Sequence, residues 1–325
     1  MRRAIVLMNL GGPDSPEAIG PFLYNLFRDP AIIALPGVLR LPLARLIAWR
    51  RTPTAKTIYA HLGGSSPLLE NTLAQAVALE AELDGDSRCF VAMRYWHPFA
   101  AETVRAVMDW DPDELVLLPL YPQYSTTTTA SSLADWQRAA AGEGLSLPTA
   151  AVRSYPESPG FIAALREEIA PYLNRDPIPR LLFSAHGLPL RIIERGDPYP
   201  QEIERTAHAV AAALARQGLD WRICYQSRVG PLKWLGPSVE EELRRAAQDR
   251  VAVVVAPISF VSEHLETVVE LDRDYRKIAE TCGVQGYERV PTVGTNPKFI
   301  ADLAGLVHRA EAVAAPVTVA AESGH

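Results

Sequence analysis

Cysteine is scarce in this chain: three in 325 residues, Cys89, Cys224 and Cys282, far apart and in no C-x-x-C spacing. That pattern argues against a disulfide scaffold or a structural zinc ribbon and fits a reducing, cytoplasmic setting. Positive charge is not in excess either, since 32 Lys and Arg face 38 Asp and Glu for a net charge of −6. Bulk nucleic-acid binding needs a basic footprint, so no nucleic-acid partner is expected. Long uninterrupted apolar runs are missing. The longest stretch, residues 31–49, holds Pro36, Arg40, Pro42 and Arg45, which a bilayer-spanning helix of about 20 residues tolerates poorly. The first apolar run breaks early at Gly11-Gly12-Pro13 and reads as a strand, not a signal sequence. Nucleotide fingerprints are absent too, with no G-x-G-x-x-G and no G-x-x-x-x-G-K-[ST].

What is present is ordinary for a globular protein: 48% hydrophobic and 22% charged residues. The length suits roughly two domains of about 150 residues. Proline is the one excess, 27 residues, many at the ends of apolar runs. Strands are expected at 4–7, 89–93, 115–118, 180–183, 222–225 and 251–256, alternating with helical patterns, which points to α/β architecture with parallel sheets. Phe161, Leu165, Ile169 and Leu173 follow helical spacing behind Ser158-Pro159, a cap followed by proline at N1. Residues 203–217 and 239–248 read as helices in the same way. IVLMNLGGP (5–13) resembles LLFSAHGLP (181–189), and LLPLYPQYS (117–125) resembles VAPISFVSE (255–263). The chain therefore divides into two similar halves, 1–155 and 156–325, with an insertion at about 20–60 in the first. The C-terminal helix is expected to pack back on the first half.

Ligands of open α/β sheets bind beyond the carboxyl ends of the strands. His186 stands at one such end, beside Gly187, where a neutral imidazole can take a proton or a metal. A lone histidine is as readily structural. Glu263, His264 and Glu266 follow another strand, and in an α-helix Glu266, Glu270 and Asp274 would share a face at i, i+4 and i+8. Such a row is either a solvated acidic face or a path for cations and protons. Imidazole with carboxylates suits a borderline divalent metal such as Fe²⁺ without excluding zinc. Trp234, in a loop rich in glycine and proline, serves either as the wall for a flat ligand or as core. Arg45, Arg50 and Arg51 beside Leu43, Leu46, Ile47 and Trp49 make either a surface for anionic lipid or a lid packed on the body.

In order along nearly the whole chain, LMNLGGP, RRTP, GGSSPL, MRYWHP, PLYPQYS, SAHGLP, GDPYPQE, YQSRVGPLKWLGP and PISFVSEHLETVVELD resemble the ferrochelatase family. The resemblance implies two Rossmann-like domains with parallel sheets and a porphyrin cleft between them. It implies insertion of ferrous iron into protoporphyrin IX, the last step of protohaem synthesis. By position in these motifs, His186 and Glu266 match the family's metal site, accompanied by His264, Glu270 and Asp274. Arg51, Tyr59 and Ser66 fall where the family contacts porphyrin propionates, and Leu10, Tyr124 and Trp234 where it lines the cleft. Residues 31–49 correspond to an apolar lip that rests on the bilayer in membrane-associated members, so peripheral contact with the inner face of a membrane is expected.

Animal members carry a [2Fe–2S] cluster on cysteines. Here the tail after Gly305 has none and Thr126 follows PQYS, so no cluster and no tightly bound cofactor are expected, with Fe²⁺ as substrate. Glu263 stands where many members have Asp. The rival readings are a chelatase for coproporphyrin or another metal, and a non-catalytic tetrapyrrole carrier. A carrier needs the apolar cleft but neither His186 nor the acidic row.

Overall fold

The apolar runs become strands buried on both faces, as parallel strands between helices must be. The computed structural model describes residues 1–228, 230 and 232–310. The end of the second half, 311–325, and Val229 and Pro231 of the loop before Trp234 lie outside the described residues.

One sheet contains β1 (Arg3–Asn9), β2 (Ser87–Met93), β3 (Glu114–Pro119) and β4 (Thr149–Ala151), in the order β2-β1-β3-β4. The other contains β5 (Arg180–His186), β6 (Trp221–Gln226), β7 (Val253–Pro257) and β8 (Tyr287–Arg289), in the order β6-β5-β7-β8. All neighbours are parallel. The two sheets thus repeat one topology, and the paired sequence segments fall on equivalent strands, β1 with β5 and β3 with β7. The six expected strands are found, most of them longer than expected; the 251–256 strand starts later, at Val253. The edge strands β4 and β8 were not expected, because three residues carry too little alternation to read.

The helices of the first half are α1 (Ile19–Phe27), α2 (Gly37–Ala60), α3 (Leu68–Glu82), α4 (Ala100–Trp110) and α5 (Thr129–Glu143). Those of the second are α6 (Pro159–Ile169), α7 (Leu190–Ile193), α8 (Tyr199–Leu214), α9 (Val239–Asp249), α10 (Arg276–Cys282) and α11 (Pro297–Arg309). Ser158 and Pro159 occupy the N-cap and N1 of α6, but the serine hydroxyl makes no capping bond. Asp302 of α11 takes its place, accepting from the Phe161 N–H at 3.0 Å. Gly160 permits that approach, since a Cβ there would lie 2.4 Å from the Lys298 carbonyl oxygen.

The apolar stretch forms a continuous helix, α2, despite Pro42 and Pro53 within it. Each proline removes the N–H that would bond the carbonyl four residues earlier, on Val38 and Trp49. Those two residues are 82% and 71% exposed, which puts both prolines' missing bonds on the solvent side of a continuing helix. Just before α2, buried Asp29 accepts from Arg94 Nη2 at 2.6 Å, Ser131 Oγ at 2.6 Å and Tyr95 OH at 2.8 Å. Burial opposes ionisation of Asp29, but Arg94 and the hydrogen bonds prevail and hold its pKa below the usual value. Its contribution to stability is therefore present above the ordinary carboxylate range and is lost as pH falls through the lowered value. Asp29→Asn should cost about 3 kcal/mol in urea unfolding, because it leaves Arg94 with only Asp135, at 3.5 Å, as a counter-ion. A loss under about 1 kcal/mol would show that Asp135 suffices.

The largest core cluster is shared. Ile5, Leu7 and Leu118 of the first sheet belong to it together with Phe183 and Val254 of the second, through α3, α6 and α11. Helix α11 packs on both α6 and α3. Buried amides stitch the same seam. Gln75 Nε2 donates to the carbonyls of Val261 and Gly294, both at 2.9 Å, while its Oε1 accepts from Ser262 Oγ at 2.8 Å. Gln123 Nε2 donates to Thr206 Oγ1 at 2.9 Å and to the Ile258 carbonyl at 3.1 Å.

Candidate active site

His186 closes β5, and its backbone N–H is held by Ser259 Oγ at 3.1 Å. Its ring Nδ1 lies 2.8 Å from Glu266 Oε2. An ionised carboxylate only accepts, so Nδ1 carries the hydrogen and, in the neutral ring, Nε2 keeps its lone pair. This carboxylate–imidazole arrangement is the one that orients histidine as a metal ligand. His264 has the same tautomer for a different reason: its Nδ1 is 3.1 Å from the Ser262 carbonyl, which cannot donate. Its Nε2 stands 3.9 Å from Glu266 Oε2. Phe260 packs against both imidazoles, its ring centre 4.5 Å from His264 and 6.4 Å from His186.

Glu266 opens a π-helix that runs to Tyr275, and this corrects the expected α-helical row. Bonds from i to i+5 give about 4.4 residues per turn, so residues four apart stay nearly in line although the helix type differs from the one expected. Asp274 is exposed and leaves the cluster. Tyr275, five residues after Glu270, takes its place and donates to Glu270 Oε1 at 3.0 Å. Arg289 braces the segment, with Nη1 2.7 Å from Glu263 Oε1 and Nη2 2.8 Å from Asp272 Oδ2.

The environments drive like groups apart. Burial disfavours the imidazolium of His186, but the charge of Glu266 and its hydrogen bond outweigh that and raise the pKa. His264 is governed by burial, which lowers its pKa and keeps it neutral. Burial also opposes the charge of Glu266, yet His186, assisted by His264 and Ser227, holds that carboxyl well below the usual range. Glu270 moves the other way, raised by burial and by the neighbouring charge of Glu266. A carboxylate-bound imidazole beside a neutral base and a proton-retaining acid is the pattern of a site that handles protons.

Leu10 and Tyr59 pack with Leu265, the residue before Glu266, in one cluster. The phenol of Tyr59 is buried, and burial together with Glu266 raises its pKa far above the ordinary value. Ser66 hydrogen-bonds the Pro13 carbonyl through its N–H at 2.7 Å. Gly12 makes room for it, since a Cβ there would fall 2.5 Å from Ser66 Oγ. Arg51 is exposed on α2, its guanidinium 5.8 Å from the centre of the Phe27 ring. Tyr124 is half-buried and donates its N–H to Glu202 Oε2 at 2.7 Å. Trp234 bridges to Pro189 of the SAHGLP segment, and its indole N–H is buried with no protein partner. A Cβ on Gly187 would meet the Gln226 carbonyl oxygen at 2.8 Å, so glycine is required there by that backbone, while the Trp234 ring would stand at an ordinary contact of 3.5 Å. Hydrogen bonds and ion pairs thus join His186, His264, Glu266 and Glu270, with Leu10 and Tyr59 at their edge. Among the described residues, Arg51, Ser66 and Tyr124 make no hydrogen bond to that cluster. Sequence reasoning missed Ser227 and Ser259. The position of Ser227 at a strand end was the available signal; Ser259 carried none.

The family model described as Ferrochelatase matches residues 2–311. A ferrochelatase of Phenylobacterium zucineum is 54% identical, with 94% of this chain and 90% of the relative covered. One from Caulobacter vibrioides is 51% identical over 99% of this chain and 93% of its own. Among solved structures, SirB from Bacillus subtilis with Fe³⁺ covers 95% of both chains at a TM-score of 0.57 and 11% identity. DR2241 from Deinococcus radiodurans, described as structurally similar to chelatases, covers 97% of this chain and 55% of its own at a TM-score of 0.52 and 13% identity. At such identities these structures speak to the fold alone.

Proposed function

The chain belongs to the ferrochelatase family, and from that premise we propose how its residues divide the work. It is a chelatase that inserts ferrous iron into protoporphyrin IX to make protohaem. A planar porphyrin hides its nitrogen lone pairs and carries two pyrrole protons. Metallation therefore requires the ring to bend, the protons to leave and the metal to shed water.

We assign His186 and Glu266 jointly to meeting the metal and accepting protons. The observation that carries this reading is the 2.8 Å contact of His186 Nδ1 with Glu266, which fixes the ring and leaves Nε2 free. His264 supplies a neutral base with its proton fixed on the far nitrogen. Glu270, whose carboxyl binds protons more readily than usual, gives them an onward position along the π-helix. Leu10, Tyr124 and Trp234 serve as cleft wall. Arg51, Tyr59 and Ser66 anchor the propionates, Tyr59 as the neutral phenol its surroundings impose.

Iron is substrate in this reading, with no resident cofactor: the three cysteines are unpaired and Thr126 offers no thiolate. Among the described residues no helix is long and apolar enough to cross a membrane. We further propose a cytoplasmic enzyme that touches anionic lipid through residues 31–49. Exposed Val38, Leu39, Leu41, Leu46 and Trp49 alternate there with Arg40 and Arg45, and Arg50 follows directly.

The decisive assay mixes the protein anaerobically with Fe²⁺ and protoporphyrin IX and follows the porphyrin absorption in time. Absence of metallation would overturn the assignment. Anchoring is tested separately. Arg51→Ala and Ser66→Ala should raise the porphyrin KM more than they lower kcat, since propionate contacts are alike in ground and transition states. A fall in kcat matching that in kcat/KM, with KM unchanged, would move both residues into the chemistry.

A further inference from the structure

Ser227 follows β6 directly and has a φ of 63°, a left-handed conformation uncommon for any residue but glycine. Glycine would adopt it freely. The serine found there turns both its N–H and its hydroxyl onto the π-helix. The N–H donates to Glu270 Oε1 at 2.8 Å, and Oγ lies 2.6 Å from Glu270 Oε2 and 3.0 Å from Glu266 Oε2. The neighbouring Gln226 completes the cradle. Its Nε2 is 3.2 Å from the Glu266 carbonyl, and its Oε1 accepts from Ser184 Oγ at 2.7 Å, which fixes the amide. Backbone strain persists at sites where the surroundings over-determine it, and an observed outlier points toward function.

On an i to i+5 helix of about 4.4 residues per turn, positions four apart lie nearly in line, so Glu266 and Glu270 present their carboxyls side by side where one donor can hold both. We propose that Ser227 is a positioning residue for metal insertion, its hydroxyl yoking the Glu266 and Glu270 carboxylates into one fixed unit beside His186. The inference rests on the role assigned above to Glu266. Loss of the yoke lets each carboxylate sample other rotamers and weakens the site toward iron, while the porphyrin walls and anchors are untouched.

Two substitutions separate this from simple docking of the loop. Ser227→Gly removes the hydroxyl and relieves the strained φ. It should keep or raise the thermal midpoint, lower kcat/KM for Fe²⁺ about tenfold or more, and leave porphyrin KM within about twofold. Ser227→Thr keeps a hydroxyl but places a β-branched residue in the left-handed region, so the midpoint should fall while kcat/KM for Fe²⁺ stays within about threefold. Activity and stability thus move in opposite directions across the pair. Retention of iron kcat/KM by the glycine variant, or an equal loss in the threonine variant, would overturn the proposal. Glu266→Gln in the same assay separates the premises. If it is inactive while Ser227→Gly is active, only the role of Ser227 fails; if it is active, the reading of Glu266 fails and the yoke with it.

Discussion

His186→Ala should abolish metallation and leave porphyrin binding nearly intact. The imidazole contributes little to the burial of a large flat ligand, so the porphyrin Kd, read by quenching of intrinsic fluorescence, should shift less than about threefold. The chemistry loses more. The free Nε2 disappears, and Glu266 loses the largest influence that keeps it ionised against burial. A carboxyl released from that partner binds its proton more tightly and, while protonated, neither ligates a metal nor accepts a further proton. A group that serves as ligand and proton acceptor together is worth several decades in rate, about 10³-fold or more. Turnover within about threefold of the parent protein would remove His186 from the mechanism.

A ring already bent should bind far better than the planar substrate. Catalysis favours interactions stronger in the transition state than in the ground state, and metallation passes through an out-of-plane macrocycle. N-methylation of one pyrrole imposes that bend and blocks completion of insertion. N-methylprotoporphyrin is therefore expected to compete with porphyrin and to bind at least ~10²-fold more tightly, the low end for such analogues. The distortion needs a wall held in place, and Trp234 is tied by its backbone bridge to Pro189, with its ring at contact distance from Gly187. Trp234→Ala should accordingly weaken the bent ligand more than the planar one. Equal losses would reduce Trp234 to contact area. Equal affinity of the unmodified protein for both rings would argue against distortion and favour a tetrapyrrole carrier.

The repeated strands were legible because buried parallel strands are near-continuous apolar runs that end at proline or glycine, as β1, β3, β5 and β7 do. The four acid and base residues of the cluster were legible through motifs at strand ends. The geometry of the acidic row was not. An i to i+5 helix has no hydrophobic period that a reader would seek, so neither the wider winding of 266–275 nor the exposure of Asp274 near its end could be read. Ser227 stayed hidden for a related reason, since a left-handed backbone angle is what turns its hydroxyl onto Glu266 and Glu270. Continuity of α2 through two prolines depended on which carbonyls face water, a tertiary fact.

The seam between the halves bears on how this protein loses its structure. Two sheets of identical topology suggest two modules, each able to melt alone. Gln75 and Gln123, however, spend their amides across the boundary, and Ile5 and Phe183 share one apolar cluster. Parting the halves would strand those amides, the carbonyls they serve and that shared surface together, each lost bond leaving unpaired groups behind. The duplication is therefore architectural and not thermodynamic: the two halves should melt together in one calorimetric transition, and two separate transitions would show independent modules.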